Sequence, residues 1–342
     1  MQYRAPRWLA GHGAFAGNVQ TIWPALYSKA HVDHGHVLVA YRRERWDTPD
    51  GDFIDVDFLP AAVLAGAQPK TAHKARVQLV LFHGLEGSSQ SHYARAFAHW
   101  AHASGWDYVV PHFRGCSGEL NRAPRTYHSG DHAEINWILR RLAQAHAGPT
   151  VAVGVSLGGN ALLRWAQEAG NEASQVVKAV VAISSPVDLA AAGHALGRGF
   201  NRQIYTRMFL NSMKPKALAK LQQFPGLANE AALRAARDLY EYDNAFTAPL
   251  HGFANTEDYW ARCSAKPGLK AMRDVPALVL NARNDPFVPA SSLPTRGEVG
   301  PAVTLWQPHE GGHVGFPAGR FPGHVADLPE TVGYWLKQQL SA

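Results

Sequence analysis

Val151-Ala152-Val153-Gly154-Val155-Ser156-Leu157-Gly158-Gly159-Asn160-Ala161-Leu162-Leu163-Arg164-Trp165 is the stretch on which the fold turns. It opens in a short β-branched run, Thr150 to Val155, that reads as a buried strand. It closes in helical spacing over Leu157 to Glu168. Between them lies Gly154-x-Ser156-x-Gly158, and a strand-turn-helix context lets that pattern lift a serine on a sharp, strained turn. Both glycines are required there, because a side chain at either would collide with neighbouring backbone. The helix that follows directs backbone N–H groups towards developing negative charge. Ser156 is the candidate nucleophile, weighed against a glycine-rich turn that merely contains serine.

Working outward, strands and helices alternate. Arg76 to Phe82, Asp107 to Pro111, Lys178 to Ile183, Pro276 to Leu280 and Ala302 to Gln307 read as strands. Ser91 to Ser104 and His132 to Ala145 have helical spacing. That alternation implies crossover connections: an α/β fold whose mostly parallel central sheet is covered by helices on both faces. The rhythm breaks over 189–270, where Phe200, Tyr205, Met208, Phe209 and Met213 sit among Lys and Arg. This stretch reads as a helical cap insertion. Residues 1–60 hold an N-terminal extension and a hairpin, Tyr41 to Trp46 and Phe53 to Leu59, around Pro49-Asp50-Gly51. The expected organisation is therefore 1–60, a first core part 61–188 with an exposed loop at 61–74, the cap 189–270, and a second core part 271–342.

A serine hydroxyl needs a base, and the base needs a carboxylate to orient it. In this architecture they follow in the order Ser, acid, His. The strand ending at Leu280 runs into Asn281-Ala282-Arg283-Asn284-Asp285, which puts Asp285 at a strand's carboxyl end, where α/β sites assemble. Beyond the next strand, Gly311-Gly312-His313 gives a loop free to carry His313 over the strand ends. Asp188, after an earlier strand, is the rival acid. The two oxyanion donors are expected from the Leu157 N–H and from the Leu85 N–H in His83-Gly84-Leu85-Glu86-Gly87. His83 fits a role holding that loop better than a role as base. Cys116, near the strand ends, reads as a small buried residue. His309-Glu310-x-x-His313 also matches a zinc-protease pattern, but two glycines and flanking prolines oppose the helix it needs.

Composition excludes other classes. With 46% apolar and 18% charged residues, the 342-residue chain can build a large core and is not disordered. Its +6 charge is dispersed along the sequence, unlike the patch or stripe of a nucleic-acid binder. Two cysteines, Cys116 and Cys263, are too few for a disulfide framework. The apolar runs are too short to span a membrane, no leader is apparent, and a cytoplasmic location is expected. Exposed aromatics near the N-terminus hint at a peripheral membrane role, yet no amphipathic basic helix is clear.

Taken together, Gln20-Thr21-Ile22-Trp23-Pro24, Trp46-Asp47-Thr48-Pro49-Asp50-Gly51, His83-Gly84-Leu85-Glu86-Gly87-Ser88, Gly154 to Asn160, Ser185-Pro186-Val187-Asp188 and Gly312-His313-Val314-Gly315-Phe316 resemble the α/β-hydrolase superfamily. More narrowly they resemble its YheT-like (AB hydrolase 4, ABHD1/ABHD3-like) family. Asn18-Val19-Gln20 stands where that family has His-x-Gln. The resemblance implies an α/β-hydrolase fold and a triad of Ser156, Asp285 and His313. It also implies hydrolysis of short- to medium-chain acyl esters with neither metal nor organic cofactor. Acyl transfer, thioester hydrolysis with the same triad, and a non-catalytic binding protein are the alternatives.

Overall fold

In a computed structural model, residues 3–9, 13–27, 40–60 and 76–341 are described. The expected loop at 61–74 lies outside them. Eight strands form one sheet in the order β1-β2-β4-β3-β5-β6-β7-β8. They are β1 (Arg42–Asp47), β2 (Phe53–Leu59), β3 (Gln78–Phe82), β4 (Asp107–Pro111), β5 (Thr150–Val155), β6 (Val180–Ile183), β7 (Ala277–Leu280) and β8 (Val303–Trp306). The opening hairpin is antiparallel, β2 joins β4 antiparallel, and every pairing from β4 to β8 is parallel.

The alternating side chains of the parallel strands explain why both faces need cover. Val80, Phe82, Ala152, Val180 and Val279 point to one face. Helices α3 (His132–Ala145) and α4 (Leu157–Ala169) close over it with Ile135, Leu139, Leu162 and Trp165. Leu79, Leu81, Val151, Val153 and Leu278 point to the other face. There α2 (His92–Ala103) and the C-terminal helix Asp327–Gln339 supply Phe97, Leu328, Val332 and Trp335. Strands β3, β5, β6 and β7 are buried along their whole length, which accounts for their unbroken apolar runs.

Between β6 and β7 the chain is helical. The segment includes Leu189–Leu196, a long stretch 199–223 widened to a π-turn over Arg202–Thr206, and Thr256–Cys263. Leu210, Leu221, Leu233, Tyr242 and Phe246 form a separate small core within it. The elements with no counterpart in the sequence reading include the C-terminal helix Asp327–Gln339 and helix α1 (Ala16–Tyr27). The α1 sequence carries Gly17, Val19, Thr21, Ile22 and Pro24, all weak helix formers or breakers. Tertiary packing makes it a helix.

Candidate active site

Ser156 sits between β5 and α4 with φ 52° and ψ −120°, a region that a residue with a side chain rarely occupies. The tightness of the turn explains its glycines. A Cβ on Gly154 would lie 2.5 Å from the Gly158 carbonyl oxygen, and one on Gly158 would lie 2.4 Å from that of His83. The Ser156 N–H donates to the Ile183 carbonyl at 2.8 Å, tying the strained residue to β6.

The structure brings the three expected side chains into one line. The Ser156 hydroxyl donates to His313 Nε2 at 3.0 Å, and His313 Nδ1–H donates to Asp285 Oδ2 at 2.9 Å. A carboxylate accepts only, so this contact fixes the proton on Nδ1 and leaves Nε2 as the acceptor facing serine. Asp285 is itself anchored, its Oδ1 accepting from Phe287 N–H at 2.8 Å and Val288 N–H at 3.3 Å. The Phe287 ring stacks on the imidazole with centroids 4.0 Å apart. Asp188 is not part of the line. Its carboxylate caps the helix Leu189–Leu196 by accepting from Ala191 N–H at 3.0 Å.

Leu85 and Leu157 both line the cavity beside Ser156. The N–H groups on either side of Leu85 are occupied: Gly84 donates to the Tyr93 hydroxyl and Glu86 to the Tyr127 hydroxyl, each at 2.9 Å. His83 is buried and serves the loop, donating from Nδ1 to the Gly84 carbonyl at 2.8 Å and accepting from Phe113 N–H at 3.1 Å. Burial pushes its pKa down to about 3, so the imidazole stays neutral, as this pairing requires. Residues 309–313 are not helical, so His309 and His313 do not share the helix face that the zinc-protease pattern needs. Cys116 is buried, and desolvation raises its thiol pKa to about 12.

Sequence reasoning missed the contribution of α1. Gln20 is fully buried. Its Oε1 accepts from Asn284 Nδ2 and from Gly311 N–H, both at 2.9 Å, joining the Asp285 loop to the His313 loop. Thr21 Oγ1 accepts the His313 N–H at 2.8 Å and donates to the Gly17 carbonyl at 2.7 Å. The approach is close enough that a Cβ on Gly17 would fall 1.8 Å from the Asn284 carbonyl oxygen. The signal is Gln20-Thr21 itself, a motif whose sequence neighbours offer it no partner. Asn18 accepts from the Tyr205 hydroxyl at 3.0 Å and so links α1 to the helical insertion.

Above Ser156 lies a mainly apolar cavity whose walls include Leu196, Phe209, Met213, Leu239 and Phe287. Its polar lining is held in pairs. Arg114 binds Asp52 at 2.8 Å and Asp50 at 2.9 Å, and also pairs with Glu134. Glu86 binds Lys216 at 2.8 Å and accepts from the Ser212 hydroxyl, both on the helix Arg207–Gln223. Asp243, pushed up to about 6 by burial, accepts from Trp260 Nε1–H at 2.9 Å.

Residues 78–319 match the model of the alpha/beta hydrolase fold family. The chain belongs to the α/β-hydrolase fold family. It is 38% identical over 329 residues to the putative esterase YheT of Escherichia coli, covering 95% of this chain and 91% of that protein. It is 27% identical to phospholipase ABHD3 of Mus musculus, covering 83% of this chain and 68% of the relative. Among solved structures it shares the fold of Est1E from Butyrivibrio proteoclasticus, with TM-score 0.54, 13% identity, and 89% and 100% of the two chains covered. The esterase EaEST of Exiguobacterium antarcticum matches with TM-score 0.52, 16% identity, and 86% and 100% covered. Among the described residues no helix is long and apolar enough to cross a membrane.

Proposed function

We propose that this hydrolase-fold protein is a carboxylesterase-type serine hydrolase acting on short- to medium-chain acyl esters. The observation that carries the reading is the hydrogen-bonded line Ser156–His313–Asp285 at the floor of an apolar cavity. Similarity to proteins named esterase and phospholipase supports the same chemistry. Ser156 Oγ attacks the ester carbonyl carbon while its proton passes to His313 Nε2. Asp285 holds the ring and stabilises the imidazolium. The tetrahedral oxyanion accepts hydrogen bonds from the Leu85 and Leu157 N–H groups. As it collapses, the C–O bond to the alcohol breaks and His313 returns the proton to the leaving oxygen. Water, deprotonated by the same imidazole, then attacks the acyl carbon; the bond to Ser156 Oγ breaks as His313 returns the proton to that oxygen, and the carboxylic acid is released. Apart from water and the ester, every group in this cycle belongs to the protein, and none of the steps calls for a metal or organic cofactor. Leu196, Phe209, Met213 and Phe287 give the acyl chain an apolar wall.

The test is hydrolysis of p-nitrophenyl esters of increasing acyl length by the wild-type protein and by Ser156→Ala. Turnover peaking at short to medium chains and lost in the variant is expected. Undiminished turnover by a folded Ser156→Ala protein would overturn the assignment of the nucleophile.

A further inference from the structure

We propose that the outer face of the helical stretch 199–223 docks on the surface of an anionic phospholipid bilayer. Phe200, Ile204 and Met208 recur every four residues there and stand 39%, 44% and 56% exposed. Phe15, 46% exposed, extends the patch by packing edge-on against Phe200 with centroids 4.7 Å apart. Contiguous exposed apolar surface of this kind marks a contact face, since lone exposed residues would be scattered.

The charge around the patch selects the partner. From residue 189 to residue 229 the sequence holds no Asp or Glu, while Arg198, Arg202, Arg207, Lys214, Lys216 and Lys220 all fall within it. Lys220 is buried and Lys216 is paired with Glu86, so the exposed cations beside the apolar stripe include Arg198 and Arg207. Glu241, which lies within electrostatic reach of Arg202, is already paired with Arg237. An apolar stripe flanked by arginines is the pattern of a segment lying in the headgroup layer of an anionic bilayer. A second copy of the chain fits poorly, because a symmetric contact would set the same arginines against each other.

The position also suits the chemistry of the fold. The inner face of the same helix supplies Phe209, Met213 and Ala217 to the cavity above Ser156. Docking the outer face would leave one helix between the bilayer and that cavity. The sequence pattern conceals this arrangement, because apolar residues occupy both faces of the helix, one buried in the fold and one exposed.

The experiment is co-sedimentation of the full chain with vesicles of phosphatidylcholine alone and of phosphatidylcholine mixed with phosphatidylglycerol. Binding needs no turnover, so its outcome is separate from that of the proposed reaction. Wild-type protein should partition about ten-fold or more in favour of the anionic vesicles, and added salt should reduce the difference. The pairs Ile204→Ser/Met208→Ser and Arg198→Gln/Arg207→Gln should each lower that binding by about ten-fold. Circular dichroism and thermal midpoint should stay as in wild type, because all four side chains are exposed. Equal binding to both vesicle types, or unchanged binding by the two variants, would overturn the proposal. So would a wild-type dimer in sedimentation velocity that Ile204→Ser/Met208→Ser splits into monomers, since the face would then belong to a second copy.

Discussion

Thr21 Oγ1 accepts the backbone N–H of His313 at 2.8 Å, joining residues 292 positions apart in the chain. The same hydroxyl donates to the Gly17 carbonyl, so it is held as well as holding. Helix α1 thereby positions the histidine without touching any reacting atom. Gln20 does the same for the loops on either side, through Asn284 and Gly311.

Thr21→Val keeps the side-chain shape and removes the hydroxyl, leaving a buried N–H without an acceptor. Such a group typically costs about 1–3 kcal/mol. The thermal midpoint should fall, and kcat should drop by about ten-fold with KM nearly constant, because a small displacement of His313 weakens the transition state more than binding. Thr21→Ser retains the hydroxyl and should recover most of the lost kcat. Equal kcat in both variants at matched folding would remove α1 from the positioning role.

Asp285 and Asp188 differ in what each carboxylate touches, and the difference is measurable. Asp285→Asn should lower kcat by roughly 10⁴-fold, the scale known for the same change in a serine protease triad, because the amide supports the wrong imidazole tautomer. Asp188→Ala should leave kcat within about two-fold while removing a helix cap worth about 1 kcal/mol. Ester hydrolysis and thermal denaturation, run side by side, separate the two. A large loss of kcat in Asp188→Ala would contradict the arrangement in which Asp285 alone faces His313.

The parallel strands and the Ser156 turn were legible because each obeys a local rule. Apolar runs such as Ala277–Leu280 end where loops begin, and Gly154-x-Ser156-x-Gly158 declares its own backbone geometry. Asp285 and His313 were legible through their order and their strand-end placement. Helix α1 was not, because Gly17, Thr21 and Pro24 argue against a helix locally and it exists only through contacts nearly 300 residues away. The polar partners of the cavity were hidden for the same reason. Arg114 meets Asp50, Asp52 and Glu134 through folding, with no spacing that announces it.

Acid should destabilise the fold before it protonates Asp52 and Asp55. Burial pushes His92 down to about 4 and both His83 and His251 down to about 3. Unfolded histidines bind protons near pH 6.5, so in this range the unfolded state holds more protons and is favoured as pH falls. The contribution of these groups is complete above about pH 6.5 and is lost progressively as pH falls towards 4 and then 3. Each group contributes at most about 1.4 kcal/mol per pH unit. Asp52 and Asp55, held below their usual range by hydrogen bonds and arginine partners that outweigh burial, add to the loss only at lower pH. Thermal midpoints recorded between neutral pH and about pH 4 should decline steadily. A flat profile would mean that these imidazoles are accessible to protons in the folded state.

Tyr127 offers a way to weaken the Leu85 loop without touching the triad. Its hydroxyl accepts the Glu86 N–H at 2.9 Å and donates to Glu86 Oε1 at 2.9 Å, holding a residue whose φ of 56° is otherwise disfavoured. Leu85, whose N–H is proposed to face the oxyanion, is the residue just before. Tyr127→Phe frees Glu86 to relax and should let the Leu85 N–H drift from its aim. The loss in kcat should be about ten-fold, below the 10²–10³ typical when an oxyanion donor is removed outright. Because the defect belongs to the transition state, affinity for a trifluoromethyl ketone that forms a tetrahedral adduct should fall in proportion to kcat/KM. If kcat/KM falls while inhibitor affinity is unchanged, the hydroxyl shapes substrate entry and the Leu85 N–H is not an oxyanion donor.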